Sequence, residues 1–131
     1  MELMHDWIMA DVLKNIRSLD YDIEKLPITN LSATTNNQRK VIIYNPDSVT
    51  LFEITEEYFH ALKKHHRLYD YDVLNKDESE AHSLALKYLF AKWCKYVGVN
   101  DWLQFSEAMG VPSEHYETVI EMFKPLAIEQ A

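Results

Sequence analysis

The chain has 131 residues, of which 47% are apolar and 12% aromatic, and its 13 Lys and Arg against 21 Asp and Glu leave a formal net charge of −8. This content suits one ordinary core and argues against disorder, while the acidic balance lacks the clustered positive charge that draws proteins to phosphate backbones or anionic membranes. No apolar run approaches the ~20 residues that cross a bilayer, Met1–Asp6 does not read as a secretion signal, and a lone Cys94 excludes an internal disulfide, so the expectation is one cytoplasmic domain over 1–131 with a protein partner, no nucleic acid and no membrane.

Two glycines and four prolines leave room for helices to dominate. Met4, Ile8, Val12, Leu13 and Ile16 follow helical spacing, and this first helix is expected to end near Ser18–Asp20. Leu26-Pro27-Ile28 reads as extended, Leu31–Thr35 as a strand, and Lys40–Tyr44 as a β-branched strand. A hairpin turn is expected at Asn36–Gln38, and Asn45–Ser48 stops the second strand. A second helix is expected from Ser48 or Thr50 to His66, with Thr50-x-x-Glu53 as a capping box and Leu51, Ile54, Tyr58 and Leu62 as its apolar stripe.

A polar loop over 68–76 follows. A third, buried helix is expected from Asp77 to about Val97, stopped by Gly98. Two shorter helices then form a C-terminal cap over about 100–125, one capped by Asn100 and stopped by Gly110, the other running from Ser113 to just before Pro125. The layout is α-β-β-α-α-α-α in one α+β domain.

The stretch that carries chemistry is Glu56-Glu57-Tyr58-Phe59-His60. Residues i and i+4 share a helix face, so Glu56 and His60 can address one metal ion, and Glu57 stands one step around, where a general base for an activated water belongs. Glu80 on the next helix is the candidate third ligand. It competes with a second reading, in which Asp77-x-x-Glu80 caps the third helix. Glu56 and Glu57 can likewise be read as solvated carboxylates in the helix.

Thr55–Ala61 and, about twenty residues on, Glu78-Ser79-Glu80-Ala81-His82-Ser83-Leu84-Ala85 together resemble the ImmA/IrrE metallopeptidases. Those proteins carry a His-Glu-x-x-His helix and a downstream Glu-x-Glu-Ala-Asn helix whose second Glu completes a zinc site. The resemblance covers roughly residues 20–100. It implies a small zincin-like fold, with an N-terminal helix, a small sheet, an active-site helix, a buried helix and C-terminal helices. It also implies zinc on His60 and Glu80, Glu57 as catalytic base, and a phage- or prophage-type anti-repressor that hydrolyses a transcriptional repressor. Glu56 stands where the family has its first histidine. A carboxylate there makes the ion a poorer Lewis acid, which opens the alternative of an inactive pseudo-peptidase that binds a repressor without cleavage. The oxyanion stabiliser is left among His65, His66, Tyr69 and Tyr71.

His82 stands where the family has Asn and reads as an outlying or surface residue, His5 and His115 have no partner in the sequence, and Cys94 reads as a small core residue. The 106–113 segment is helix-turn-helix-like. Residues 100–131, however, hold Lys124 as their sole Lys or Arg against six carboxylates, which disfavours DNA binding.

Overall fold

The computed structural model describes residues 2–64 and 71–130. The order is α1 (Glu2–Arg17), β1 (Asp22–Lys25), β2 (Ala33–Asn36), β3 (Val41–Tyr44), α2 (Leu51–Leu62), α3 (Tyr71–Tyr96), α4 (Trp102–Met109), a 3₁₀ turn (Ser113–His115) and α5 (Tyr116–Gln130). The class is therefore α+β. Among these residues no helix is long and apolar enough to cross a membrane.

Helix α1 buries Met4, Ile8, Val12 and Ile16, four apart and so on one face. Lys14 and Arg17 in its last turn suit the negative pole of the helix. Asp20 then takes φ 64° and turns the chain into the sheet. The sheet is ordered β1-β3-β2, with β1 parallel and β2 antiparallel to the central β3.

The hairpin between β2 and β3 lies where expected. Asn36 Oδ1 accepts the backbone N–H of Gln38 (3.1 Å) and Arg39 (3.0 Å), so the side chain closes the turn. The extended segment around Pro27 is displaced: the strand is 22–25, and only Leu26 continues its pairing, donating to the Tyr44 carbonyl. Pro27 has no N–H with which to extend the ladder. The sheet thus gains a strand that β-propensity does not announce, since Asp22-Ile23-Glu24-Lys25 is largely solvent-facing.

Helix α2 begins as expected. Thr50 Oγ1 accepts Glu53 N–H (3.1 Å) and Glu53 Oε1 accepts Thr50 N–H (2.9 Å), a complete capping box. Its buried residues are not a narrow stripe but Leu51, Phe52, Ile54, Thr55, Glu57, Phe59, His60 and Ala61, while Tyr58 is half-buried and Leu62 exposed. A helix wedged between α1, the sheet and α3 is covered on several sides.

Helix α3 starts at Tyr71, not Asp77, so 71–76 is helix where a loop was expected, and Asp77 and Glu80 stand inside the helix rather than at its cap. Ala81, Ala85, Leu86, Leu89 and Trp93 are buried, and Gly98 at φ 73° follows the last turn. Cys94, one step from Trp93, falls off that face and is exposed. Helix α4 is capped by Asp101 rather than Asn100, its carboxylate accepting Gln104 N–H at 3.0 Å, and it ends at Gly110. Helix α5 continues through Pro125 instead of ending before it; the proline forfeits one i→i−4 bond, without stopping the helix.

Edge-on aromatic contacts join α3 to α4 and α5: Trp93 meets Phe105 at 5.6 Å, and Phe90 meets Phe105 at 6.3 Å and Phe123 at 5.0 Å. Trp93 Nε1 also donates to the Val99 carbonyl (2.8 Å), satisfying its polar edge. Trp93 and Phe105 are fully buried, and burying a Phe side chain contributes about 1.5–3 kcal/mol. On the other side, Lys92 Nζ pairs with Asp11 at 3.0 Å and ties α3 to α1.

Candidate metal centre between α2 and α3

Glu56 and His60 are four apart on α2, and Glu78 and His82 are four apart on α3. Each pair therefore shares one helix face. The two faces meet in antiparallel register: His82 Nδ1 contacts Glu56 Oε2, and His60 Nε2 lies 3.4 Å from Glu78 Oε1. Each carboxylate of one helix thus faces an imidazole of the other. The His82–Glu56 contact is an ion pair without an aligned hydrogen bond.

Ligand atoms of Glu56, Glu78 and His82 all lie within 4.8 Å of one another, the one such group of three or more metal-binding side chains among the described residues. Donors on a zinc ion sit at about 2.0–2.2 Å from it, so a cation would enter between His82 Nδ1 and Glu56 Oε2, which here contact each other directly. Two carboxylates and an imidazole form a donor set that suits zinc or manganese. The residues present therefore fit a divalent cation.

Of the residues singled out by the sequence, Glu56 lies in this group. His60 adjoins it through Glu78. Glu80 is exposed on α3, and the carboxylate that α3 turns toward α2 is Glu78, two residues earlier. Two residues are some 200° around a helix, which separates Glu78 from Glu80.

Glu57 is 7% exposed and sits on the β2 side of α2, where Thr35 Oγ1 donates to its Oε1 at 3.1 Å. The last turn of α2 is fixed from the hairpin: Tyr21 Oη donates to Asn37 Oδ1 (2.6 Å), and Asn37 Nδ2 donates to the His60 carbonyl (3.4 Å). His65, His66, Tyr69 and the side chain of Tyr71 lie outside the described residues.

The electrostatics follow the geometry. Contact with the Glu56 carboxylate raises His82 above its ordinary 6.5, against the opposing effect of burial. Burial pulls His60 down most strongly, but the Glu78 carboxylate it meets, with the charges of Glu57, Glu78 and Glu56, leaves it raised. His115 from the 3₁₀ turn lies beside His82, and burial and then the His82 charge lower it.

The sequence reading singles out none of Glu78, His82 and His115 as a ligand, and it makes His82, which the structure brings into the group, an outlying or surface residue. For Glu78 the signal was present, because Glu78-x-x-x-His82 repeats the spacing of Glu56-x-x-x-His60. For His115, 33 residues beyond His82, no local pattern exists.

Compared with protein-family models, with curated proteins and with solved structures, the chain matches none.

Proposed function

We propose that the chain is a metallopeptidase-like protein of small zincin-like architecture, acting in the cytoplasm on a transcriptional repressor as a phage- or prophage-type anti-repressor. The observation that carries the reading is the convergence of Glu56, Glu78 and His82 between two helices, with Glu57 on the next step of α2. The repressor, as the class of protein acted on, follows from the resemblance of the 55–61 and 78–85 motifs. It agrees with an acidic surface poorly suited to nucleic acid.

In this reading Glu56, Glu78 and His82 hold the cation, zinc being the expected one. A cation held there would supply Lewis acidity, which would polarise a scissile carbonyl and lower the pKa of a water from about 15.7 toward ~7. Glu57 accepts the proton of the attacking water and delivers it to the leaving amine. Thr35 holds the Glu57 carboxylate and Asn37 holds the turn that carries His60, so the sheet edge positions the base.

A second reading is binding without cleavage. It is favoured by the same hydrogen bond, which engages Glu57 with β2, and by the reciprocal Glu–His pairs, which join α2 to α3 directly. The two are separated by Glu57→Gln, assayed for repressor loss and repressor binding. Hydrolysis predicts that repressor loss is abolished while binding persists. A Glu57→Gln protein as active as wild type refutes hydrolysis by this site. Zinc calorimetry on the metal-stripped protein tests the site itself, one site per chain being the expected result.

A further inference from the structure

His115 is far from the α2–α3 motif in sequence, yet its ring packs beside His82, next to the Glu56, Glu78 and His82 group and not among the three side chains whose ligand atoms lie within 4.8 Å of one another. Its placement begins at Gly110, which takes φ 71° at the end of α4. A Cβ there would lie 2.3 Å from Thr50 Cβ, so the backbone of this turn rests directly on the N-cap of α2. From that anchor Val111 is buried, and the 3₁₀ turn Ser113–His115 is laid over the first turn of α2. The His115 ring lies 5.5 Å from Phe52 and 4.7 Å from His82, centroid to centroid.

The His115 Nε2 is screened from solvent and has no hydrogen-bond partner among the described residues; Glu114 Oε1 is 3.7 Å away, beyond hydrogen-bond length. Buried polar atoms almost always have a partner, and an orphan marks a place where a water or an ion belongs. An imidazole nitrogen binds zinc at about 2.0–2.1 Å, which puts each ring centre roughly 3 Å from the ion and two rings sharing it about 5 Å apart at the tetrahedral angle. The His82–His115 separation of 4.7 Å is close to that value.

We propose that His115 is a further ligand to the divalent cation of Glu56, Glu78 and His82, making the C-terminal hairpin part of the metal centre. This rests on the metal-site reading above. The set becomes two carboxylates and two imidazoles drawn from α2, α3 and the turn before α5, a four-donor shell of the kind zinc accepts. His60 then stays outside the shell, paired to the Glu78 ligand.

The test is zinc calorimetry, with cobalt(II) absorption as a second readout, on wild type, His82→Ala, His115→Phe and His115→Gln, each checked for folding by circular dichroism without metal. Phenylalanine keeps the packing on Phe52 and His82 but offers no lone pair; glutamine guards against a folding defect in the first variant. The expected result is one zinc per wild-type chain, binding lost in His82→Ala, and affinity weakened at least tenfold in both folded His115 variants, with their cobalt d–d bands altered. Wild-type affinity and an unchanged cobalt spectrum in those variants would overturn the role of His115 while leaving the metal site standing. No zinc binding by wild type would overturn both.

Discussion

Replacing Gly110 by Ala tests how tightly the C-terminal hairpin is keyed to α2. Two costs add. An L-residue at φ 71° pays about 1–2 kcal/mol for the left-handed conformation. The new Cβ would also stand 2.3 Å from Thr50 Cβ and 2.5 Å from its Cγ2. Carbon atoms prefer about 3.5–4.0 Å, so the turn must retreat by more than an ångström. Overpacking of that sort costs about 1–3 kcal/mol. The total is about 2–5 kcal/mol. Gly98 provides the internal control, because it shares the conformation (φ 73°) but a Cβ there meets only the Cys94 carbonyl, at 3.9 Å. Gly98→Ala should therefore show the conformational cost alone. Urea unfolding followed by circular dichroism reads both. The expected outcome is that Gly110→Ala exceeds Gly98→Ala by about 1–3 kcal/mol with an unchanged m-value. Equal losses in the two variants would refute the close packing of the turn on Thr50.

Thr50→Ala removes the side-chain half of the capping box and should cost about 1 kcal/mol, measurable as a lower urea midpoint. Thr35→Val removes the hydroxyl that donates to Glu57 and should cost about 1.5–3 kcal/mol in the same assay, the range for hydrogen bonds to charged groups. For the metal-free protein, His60 and His82 titrate above 6.5 in the folded state, so their stabilisation is full below pH 6.5 and is lost as pH rises through their raised folded values. His115 is lowered and acts oppositely, removing stability as pH falls below 6.5. The histidine contribution should therefore peak near pH 6.5. In His60→Gln/His82→Gln, the decline of the urea midpoint between pH 6.5 and 8 should flatten, and a decline as steep as in wild type would contradict it.

The elements legible in the sequence were those with a local physical signature. Apolar residues four apart mark α1, the Thr50/Glu53 pair marks the start of α2, β-branched 41–43 marks β3, and Gly98 and Gly110 mark helix ends. Strand β1 was not legible because its four residues carry three charges and are held mainly by backbone pairing with β3. The early start of α3 was masked by Asp77-x-x-Glu80, which satisfies the pattern of a cap yet falls mid-helix. Pro125 was read as a stop, although a single lost hydrogen bond near a chain end is tolerable when the preceding turns are anchored by Val119 and Phe123. At the site, the choice between Glu78 and Glu80 depended on the rotation of α3 about its axis. That rotation is set by Ala81, Ala85 and Leu89 packing inward, not by the motif itself.

The reciprocal Glu–His arrangement explains how two helices can carry so polar a contact. An isolated buried carboxylate or imidazolium is costly, and removing one partner of a buried pair strands the other. Here the partly buried Glu56 and Glu78 on opposite helices each meet an imidazole, which offsets their charge when it is protonated. The match arises because a four-residue spacing repeats on antiparallel helices, which places the first residue of one motif against the second of the other. Substitution of any one of these four residues therefore removes an interhelix pair as well as a candidate ligand or its neighbour. Loss of activity in a single variant does not distinguish the two effects, whereas metal affinity measured beside metal-free stability does.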